Sequence, residues 1–475
     1  MNNERPGLPF EARALFFHQE VKMKRGFGIL VLIFVLVCLS MTAQGPLPQG
    51  QSSPSMSGPP TKTTFVRLGG RGNGIIVERE TPDPVKSKIA VLVTHPEHAN
   101  NFNYFHGLEL AKYGYTILLL NNYGPEDTYE EFLAPIAAGI KELHARGVEK
   151  VVLAGHSSGG TELTFYQDVA ENGPAACQQP ERIYKCQTKD AQNLPKADGV
   201  IILDANSGAV SRMLALNPAM NPHNARQIDS SLDMFDPKNG FDPATGKANY
   251  SPDFLKKYFA AQAARANSLD DEALARLDKI VKGEGEFKDD EPFVVAGSSG
   301  AGRAANGANP SGTDLRLLAQ THAPHLLLKA DGTQSTQVIA GVGGPSQRPD
   351  QQDLLAQTTV NVTVKHYLSF DAIRVKPDFH QTADNITGID WTSSGDSMEG
   401  NVEGIHVPTL VVAAGCGADL VLLEITYDLS AAKDKQYVGV EGANHNMAPC
   451  KPEYGDTYKR AFDYMDGWLS KPGRF

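Results

Sequence analysis

The residues best suited to do chemistry lie in one short stretch, Gly155-His156-Ser157-Ser158-Gly159. It follows an apolar run at residues 151–154 and precedes apolar and aromatic residues at helical spacing, which predicts a strand, a sharp turn and a helix. A G-x-S-x-G pattern in this context holds a serine hydroxyl on a strained turn, where the flanking glycines let neighbouring chain pass close. The pattern therefore predicts that Ser157 is a nucleophile. The N–H of Ser158, at the helix N-terminus, would face a developing oxyanion.

A serine hydroxyl needs a general base within hydrogen-bond reach before it can attack. His445 lies in the segment Glu441-Gly442-Ala443-Asn444-His445-Asn446-Met447, which follows the last expected strand and precedes the last expected helix. In a parallel sheet such a loop lies at the carboxyl edge, where Ser157 is also expected. The placement predicts His445 as the base.

The segments around these residues alternate between strands and helices. Continuous apolar runs, typical of strands buried on both faces, occur at residues 88–94, 115–120, 151–154, 199–203, 409–414 and 436–440. Amphipathic helical segments lie between them, which predicts an α/β architecture with a mostly parallel, doubly wound sheet. His95, Asn121 and Asp204 then end strands on the same edge as Ser157.

The alternation stops in the middle of the chain. Residues 206–402 contain a long helical piece, a tract rich in Gly, Ala, Ser and Asn, and short strand-like runs. We expect this region to be a large lid inserted between the sixth and seventh core strands, with the core divided into residues 63–205 and 403–475. An independent domain with its own activity is the alternative.

With the serine turn and the strand-loop histidine in this order, the chain resembles the α/β-hydrolase-fold serine hydrolases, including exported bacterial members. The resemblance covers residues 63–205 and 403–475. It implies that Ser157 is the nucleophile and that His445 is the general base that afterwards protonates the leaving group.

The resemblance also implies an acid that orients the histidine. Asp419 is the first choice, because the family usually places the acid after the strand that ends near residue 414. Glu424, in the following helix, and Asp204, after the preceding core strand, are the alternatives. The second oxyanion donor would come from the loop that opens with His95; because Pro96 has no N–H, the backbone N–H of Glu97 is expected to supply it.

These features together imply an exported serine hydrolase that cleaves a small-molecule or lipid-like carboxylic ester through an acyl-enzyme, without a cofactor. A peptidase or thioesterase of the same fold is an alternative, and so is a non-catalytic binding protein on a degenerate hydrolase fold. No metal is expected, because nothing fixes the nearby histidines on one face; the histidines considered are His95, His98 and His106, with His322 and His325 in the lid region.

Charge and the N-terminus indicate where the protein acts. The net charge of −11 gives no basic surface for nucleic acid.

Residues 23–45 have a basic start, an apolar middle and a small-residue end, which predicts a secretory signal peptide, with translation starting at Met23 rather than Met1. The apolar run is shorter than the roughly 20 residues of a membrane span, so no span is expected in the mature chain, although an uncleaved anchor is the alternative. Residues 46–62 are expected to be a disordered linker.

The cysteines agree with export. Cys38 lies in the predicted signal peptide and the other four form an even set. Cys177 and Cys186 share a short polar loop in which pairing is easy. Cys416 and Cys450 each follow an element that ends on the same sheet edge and could also pair. The connectivity stays open, and so does the possibility of four free thiols.

Overall fold

The structure is a computed structural model, and it describes residues 58–68, 72–95, 101–102, 104–121, 128–187, 189–222, 224–298, 309–342 and 359–475. The predicted signal peptide, the two alternative start residues and most of the predicted linker lie outside these ranges. Pro96, Glu97 and His98 lie outside them as well.

The strands, in chain order, are β1 Thr61–Arg67, β2 Asn73–Arg79, β3 Ile89–Thr94, β4 Thr116–Asn121, β5 Lys150–His156, β6 Gly199–Leu203, β7 Met220–Asn221, β8 Asn224–Ile228, β9 Phe241–Asp242, β10 Lys247–Ala248, β11 Pro292–Ala296, β12 Gln320–Leu328, β13 Gln334–Ala340, β14 Thr359–Thr363, β15 Val375–Gln381, β16 Ile386–Ile389, β17 Thr409–Ala414 and β18 Lys435–Val440. The helices are α1 Phe105–Tyr113, α2 Leu133–Ala145, α3 Gly159–Asn172, α4 Ala209–Leu214, α5 Pro252–Val281, α6 Val364–His366, α7 Met398–Asn401, α8 Leu420–Leu429 and α9 Thr457–Leu469.

The central sheet has the strand order β1-β2-β4-β3-β5-β6-β17-β18-β12-β13. The strands β4, β3, β5, β6, β17 and β18 are parallel to their neighbours in this group, whereas β2 runs antiparallel to both β1 and β4. This order, with a serine turn directly after β5, is that of the α/β-hydrolase fold. The fold class predicted from the sequence is therefore confirmed.

The apolar strands are continuous because both faces of the sheet are covered. Successive side chains of a strand point to opposite faces. Ala90 and Leu92 of β3 accordingly join the hydrophobic core that includes α2, while Val91 and Val93 join the core that includes α9. All four are buried, so both faces of β3 are covered.

Much of the segment 206–402 packs around a hydrophobic core of its own, in which Tyr258 and Phe259 of α5 meet Phe379 of β15. The hairpin β12–β13 is different, because β12 pairs in parallel with β18 and extends the central sheet. The region predicted as a single inserted lid thus contains two strands of the central sheet. The hairpin divides the rest of the segment into a part before β12 and a part after β13. That these parts act as a lid stays a prediction.

Four cysteines form two disulfides, Cys177–Cys186 and Cys416–Cys450, with Cα–Cα distances of 5.6 and 6.4 Å. Such bonds are typical of proteins that mature in an oxidising compartment. Among the helices that the structure describes, none is both long and apolar enough to cross a membrane.

Candidate active site

The predicted strand, turn and helix around Ser157 are present. The strand β5 ends at His156, the helix α3 begins at Gly159, and Ser157 between them has a φ of 56°. A residue other than glycine rarely adopts this left-handed backbone conformation, and residues that do so are concentrated at functional sites. The turn thus holds the Ser157 hydroxyl at the carboxyl end of the sheet.

The glycines of the turn are there because other chain segments approach closely. A Cβ atom added at Gly155 would lie 2.5 Å from the carbonyl oxygen of Gly159. A Cβ atom at Gly159 would lie 2.3 Å from the carbonyl oxygen of Thr94, at the end of β3. Only glycine fits both positions, so these two residues allow the serine turn to pack against the neighbouring strand.

The predicted base, His445, lies in the loop after β18. Its Nδ1 is 2.9 Å from Oδ2 of Asp204, the residue that follows β6. The second oxygen of Asp204 accepts a hydrogen bond of 2.8 Å from the backbone N–H of Ala414, and the carboxylate is completely buried. Because a carboxylate can only accept, Nδ1 carries the proton and Nε2 of His445 is left with a lone pair. This is the tautomer that a general base needs.

His445 is thus hydrogen-bonded to Asp204, which was an alternative to Asp419 as the predicted acid. The side chains of Asp204, Asp419 and His445 each offer a ligand atom within 4.8 Å of the others, so Asp419 is a close neighbour of the pair. Asp419 is at the N-cap of α8 and is more exposed than Asp204. Asp204 thus combines a 2.9 Å contact to Nδ1 of His445 with complete burial, and which acid orients the histidine stays a prediction.

Glu424, the third candidate acid, is engaged elsewhere. Its carboxylate accepts hydrogen bonds of 2.7 and 3.0 Å from the backbone N–H groups of His322 and Ala323. It also contacts Nε2 of His325 at 2.7 Å. Glu424 therefore ties α8 to the strand β12, and the two lid-region histidines considered as metal ligands belong to this contact.

Within the described ranges, Asp204, Asp419 and His445 are the one group of His, Cys, Asp or Glu side chains close enough together to share a metal ion. His95 and His106 are buried near the serine turn but are not part of such a group, and His98 lies outside the described residues. The predicted lack of a metal stays a prediction.

His156, the middle residue of the serine motif, holds the loop of the base. Its Nε2 lies 2.8 Å from the carbonyl oxygen of His445, and its Nδ1 is hydrogen-bonded to the hydroxyl of Tyr104. The tautomer with the proton on Nε2 satisfies both contacts, since the hydroxyl can donate to Nδ1. Burial lowers the pKa of His156 well below its usual value, so the ring is neutral. The contact of His156 with His445 was not predicted from the sequence, although the place of His156 inside the motif was an available signal.

Asn206 is a second residue that the sequence analysis missed. Its side-chain nitrogen lies 3.3 Å from Oγ of Ser157. It follows Asp204 by two positions in the loop after β6. Its proximity to a predicted acid was the one available signal.

Ser158 is the one of the two predicted oxyanion donors that lies in the described part of the chain. Ser158 is at the N-cap of α3, so its backbone N–H is at the positive end of a 14-residue helix. The hydroxyl of Ser158 lies 3.4 Å from Nδ1 of His95. Glu97, the expected second donor, lies outside the described residues.

No family model matches the sequence, and no curated protein matches it. The chain is similar to several solved structures at low sequence identity. A monoacylglycerol lipase from Paleococcus ferrophilus is 16% identical, over 86% of this chain and 98% of the other, with a TM-score of 0.35. The siderophore hydrolase EstB from Aspergillus fumigatus is 11% identical over 88% and 99%, with a TM-score of 0.37. The esterase domain of a Rhodothermus marinus protein is 9% identical over 86% and 97%, with a TM-score of 0.32. By its own strand order and serine turn, the chain has the α/β-hydrolase fold.

Proposed function

We propose that this protein is a serine hydrolase that cleaves carboxylic esters through an acyl-enzyme on Ser157. The observation that carries the proposal is the 2.9 Å contact between His445 and the completely buried Asp204, at the same sheet edge as a serine held at a φ of 56°. Three groups of this kind are the parts of a nucleophile, a base and an orienting acid.

In the proposed reaction, Nε2 of His445 takes the proton of the Ser157 hydroxyl while Oγ attacks the ester carbonyl. The resulting imidazolium is stabilised by the carboxylate of Asp204, which stays ionised. His445 then gives the proton to the departing alcohol. In the second half, His445 deprotonates a water molecule that attacks the acyl-enzyme, and the proton returns to Oγ as the acid product leaves.

The acid in this proposal is Asp204, which replaces Asp419 as first choice. Asp204 is bound on both carboxylate oxygens, to His445 and to the backbone of Ala414, so its orientation is fixed. Asp419 is assigned a smaller part, as a second carboxylate whose oxygen lies within 4.8 Å of a ring nitrogen of His445. The backbone N–H groups of Ser158 and Glu97 are proposed as the oxyanion donors.

The proposal also includes export and a small or lipid-like ester as substrate. The two disulfides support export. Ser157 is only 7% exposed, and Nδ2 of Asn206, in the segment 206–402, lies 3.3 Å from its hydroxyl oxygen; both support a covering role for part of that segment. The similar structures include a lipase and an esterase domain, and the substrate proposed here is of that broad class.

The test is hydrolysis of p-nitrophenyl esters, from acetate to palmitate, by residues 46–475. We expect turnover that is lost in Ser157→Ala. The control is the melting temperature of Ser157→Ala, which should be close to that of the wild type. Thioesters and peptide p-nitroanilides, measured in parallel, separate an esterase from a thioesterase or peptidase. A folded wild-type protein that cleaves none of these substrates would contradict the proposal and favour the binding-protein alternative.

A further inference from the structure

Asn206 is attached to the nucleophile at two points. Its backbone N–H donates to the carbonyl oxygen of Ser157 at 3.3 Å, and its side-chain Nδ2 lies 3.3 Å from the Ser157 hydroxyl oxygen. Asn206 is 8% exposed, so water offers little competition for these contacts. The loop after β6 therefore places an amide group directly against the atom that would attack the substrate.

A third contact fixes which end of the amide faces Ser157. The oxygen Oδ1 of Asn206 accepts a hydrogen bond of 3.2 Å from the backbone N–H of Gly208. A backbone N–H can only donate, so this position requires the oxygen. The amide nitrogen must then point towards Ser157, where it donates to Oγ.

The proton arrangement at Ser157 follows from this donor. With one lone pair of Oγ accepting from Asn206, the hydroxyl proton is free to point to a different partner. In the proposed reaction that partner is Nε2 of His445, whose Nδ1 is bound to Asp204. The Asn206 donor thus leaves the hydroxyl proton for the proton transfer of the proposed reaction.

We propose that Asn206 is a catalytic residue, whose side-chain N–H stabilises negative charge on Oγ of Ser157. The inference rests on the proposed ester hydrolysis. In acylation, the Oγ proton moves to His445 and the freed electron pair forms the bond to the ester carbon. In deacylation, the bond from that carbon to Oγ breaks, the electron pair returns to Oγ, and His445 returns the proton. Oγ gains negative charge in both steps, and the amide donor is in place for both.

The size of the effect follows from the kind of contact that is lost. Removal of a single donor from an oxyanion site costs about 100- to 1,000-fold in turnover in other hydrolases. The Asn206 contact is long for a hydrogen bond and acts on a charge that His445 largely relieves by proton transfer, so we expect a smaller loss, of about 10- to 100-fold.

The experiment must separate this role from the turn that Asn206 makes with Gly208. Asn206→Ser and Asn206→Asp both keep an oxygen that can accept from the backbone two residues on, but neither keeps the amide donor. Asn206→Ala loses the oxygen as well. We would measure kcat and KM for a p-nitrophenyl ester, the second-order rate of reaction with a fluorophosphonate, and the melting temperature of each variant.

We expect Asn206→Ser and Asn206→Asp to lose about 10- to 100-fold in kcat and in fluorophosphonate reactivity, with KM within about threefold and melting temperatures near that of wild type. Wild-type rates in both variants, with a lower melting temperature in Asn206→Ala alone, would assign Asn206 to the turn and overturn the inference. A wild-type protein that neither reacts with the fluorophosphonate nor cleaves esters would instead refute the proposed function, and this inference with it.

Discussion

The replacement Asp204→Asn tests the arrangement of the site, because the structure dictates how the new side chain must sit. Oδ1 of Asp204 accepts from the backbone N–H of Ala414 at 2.8 Å. In the variant, the amide oxygen must keep this position, since an NH₂ group would face another donor. The amide nitrogen then faces Nδ1 of His445, which is 2.9 Å from Oδ2 in the wild type.

A donor at that position forces His445 into the opposite tautomer. Nδ1 must accept, so the proton moves to Nε2, and Nε2 can no longer take a proton from Ser157. The same substitution of a triad aspartate in a serine protease lowers kcat by about 10⁴-fold, which corresponds to about 5.4 kcal/mol of transition-state stabilisation. We expect a loss of about 1,000- to 10,000-fold in kcat for Asp204→Asn, with little change in KM.

Asp419→Asn is the matched control. It removes a carboxylate whose oxygen lies within 4.8 Å of a ring nitrogen of His445. Because the two atoms are at most 4.8 Å apart, the lost attraction at a water-like dielectric is at least roughly 1 kcal/mol, or about fivefold in kcat. The assay is p-nitrophenyl ester hydrolysis at saturating substrate, with melting temperature as the folding control. A 1,000-fold loss in Asp419→Asn together with near wild-type turnover in Asp204→Asn would refute the assignment.

Two further predictions concern the disulfides and a buried acid. The Cys416–Cys450 disulfide joins the loops after β17 and β18 and has a sequence separation of 34. Its replacement by two serines should lower the unfolding free energy, measured by urea titration, by about 4 kcal/mol. It should also lower kcat, because His445 lies within the loop that the disulfide closes. Replacement of Cys177 and Cys186, which have a sequence separation of 9, by serines should lower the unfolding free energy by about 3 kcal/mol and leave kcat nearly unchanged. Equal kcat values in the two double variants would contradict this prediction. Burial raises the pKa of Glu399 from 4.5 to about 7, so the folded protein holds this proton more tightly than the unfolded chain and loses stability as the pH rises between these values. Glu399→Gln should remove roughly 3 kcal/mol of this pH-dependent loss of unfolding free energy. If unfolding curves at pH 4 and pH 8 show the same change in stability for the wild type and the variant, the prediction is wrong.

The parts of the fold that could be predicted are those that local pattern specifies. The six continuous apolar runs all became strands of the parallel sheet, because a strand covered on both faces needs apolar side chains at every position. The serine turn could be predicted because its glycines are required by close backbone contacts at Gly155 and Gly159. Both signals are contained in a few consecutive residues.

The hairpin β12–β13 could not be placed from the sequence. Its strands were visible only as short runs inside an irregular region, and nothing local indicates that β12 pairs with β18, more than 100 residues later in the chain. Pairing over such a separation depends on which sheet edge is open once the core has formed. A segment that looked like insertion throughout therefore contributes to the central sheet.

The acid was uncertain for a similar reason. Asp204 and Asp419 both follow strands that end on the same sheet edge, and the two strands β6 and β17 are neighbours in the sheet. Sequence order ranks them only by the family's usual pattern, whereas the choice depends on distances within a few ångströms. The contacts of His156 with His445 and of Asn206 with Ser157 were not predicted, because they join residues that are distant in the chain.

The most direct test of the central claim is to trap the acyl-enzyme. Wild-type protein would be mixed with p-nitrophenyl acetate, quenched in acid during turnover and digested for mass spectrometry, with Ser157→Ala treated in parallel. We expect one acetyl group on the peptide that contains Ser157 and no such adduct in the variant. An acetyl group on another residue during turnover, or hydrolysis that persists in Ser157→Ala, would contradict it.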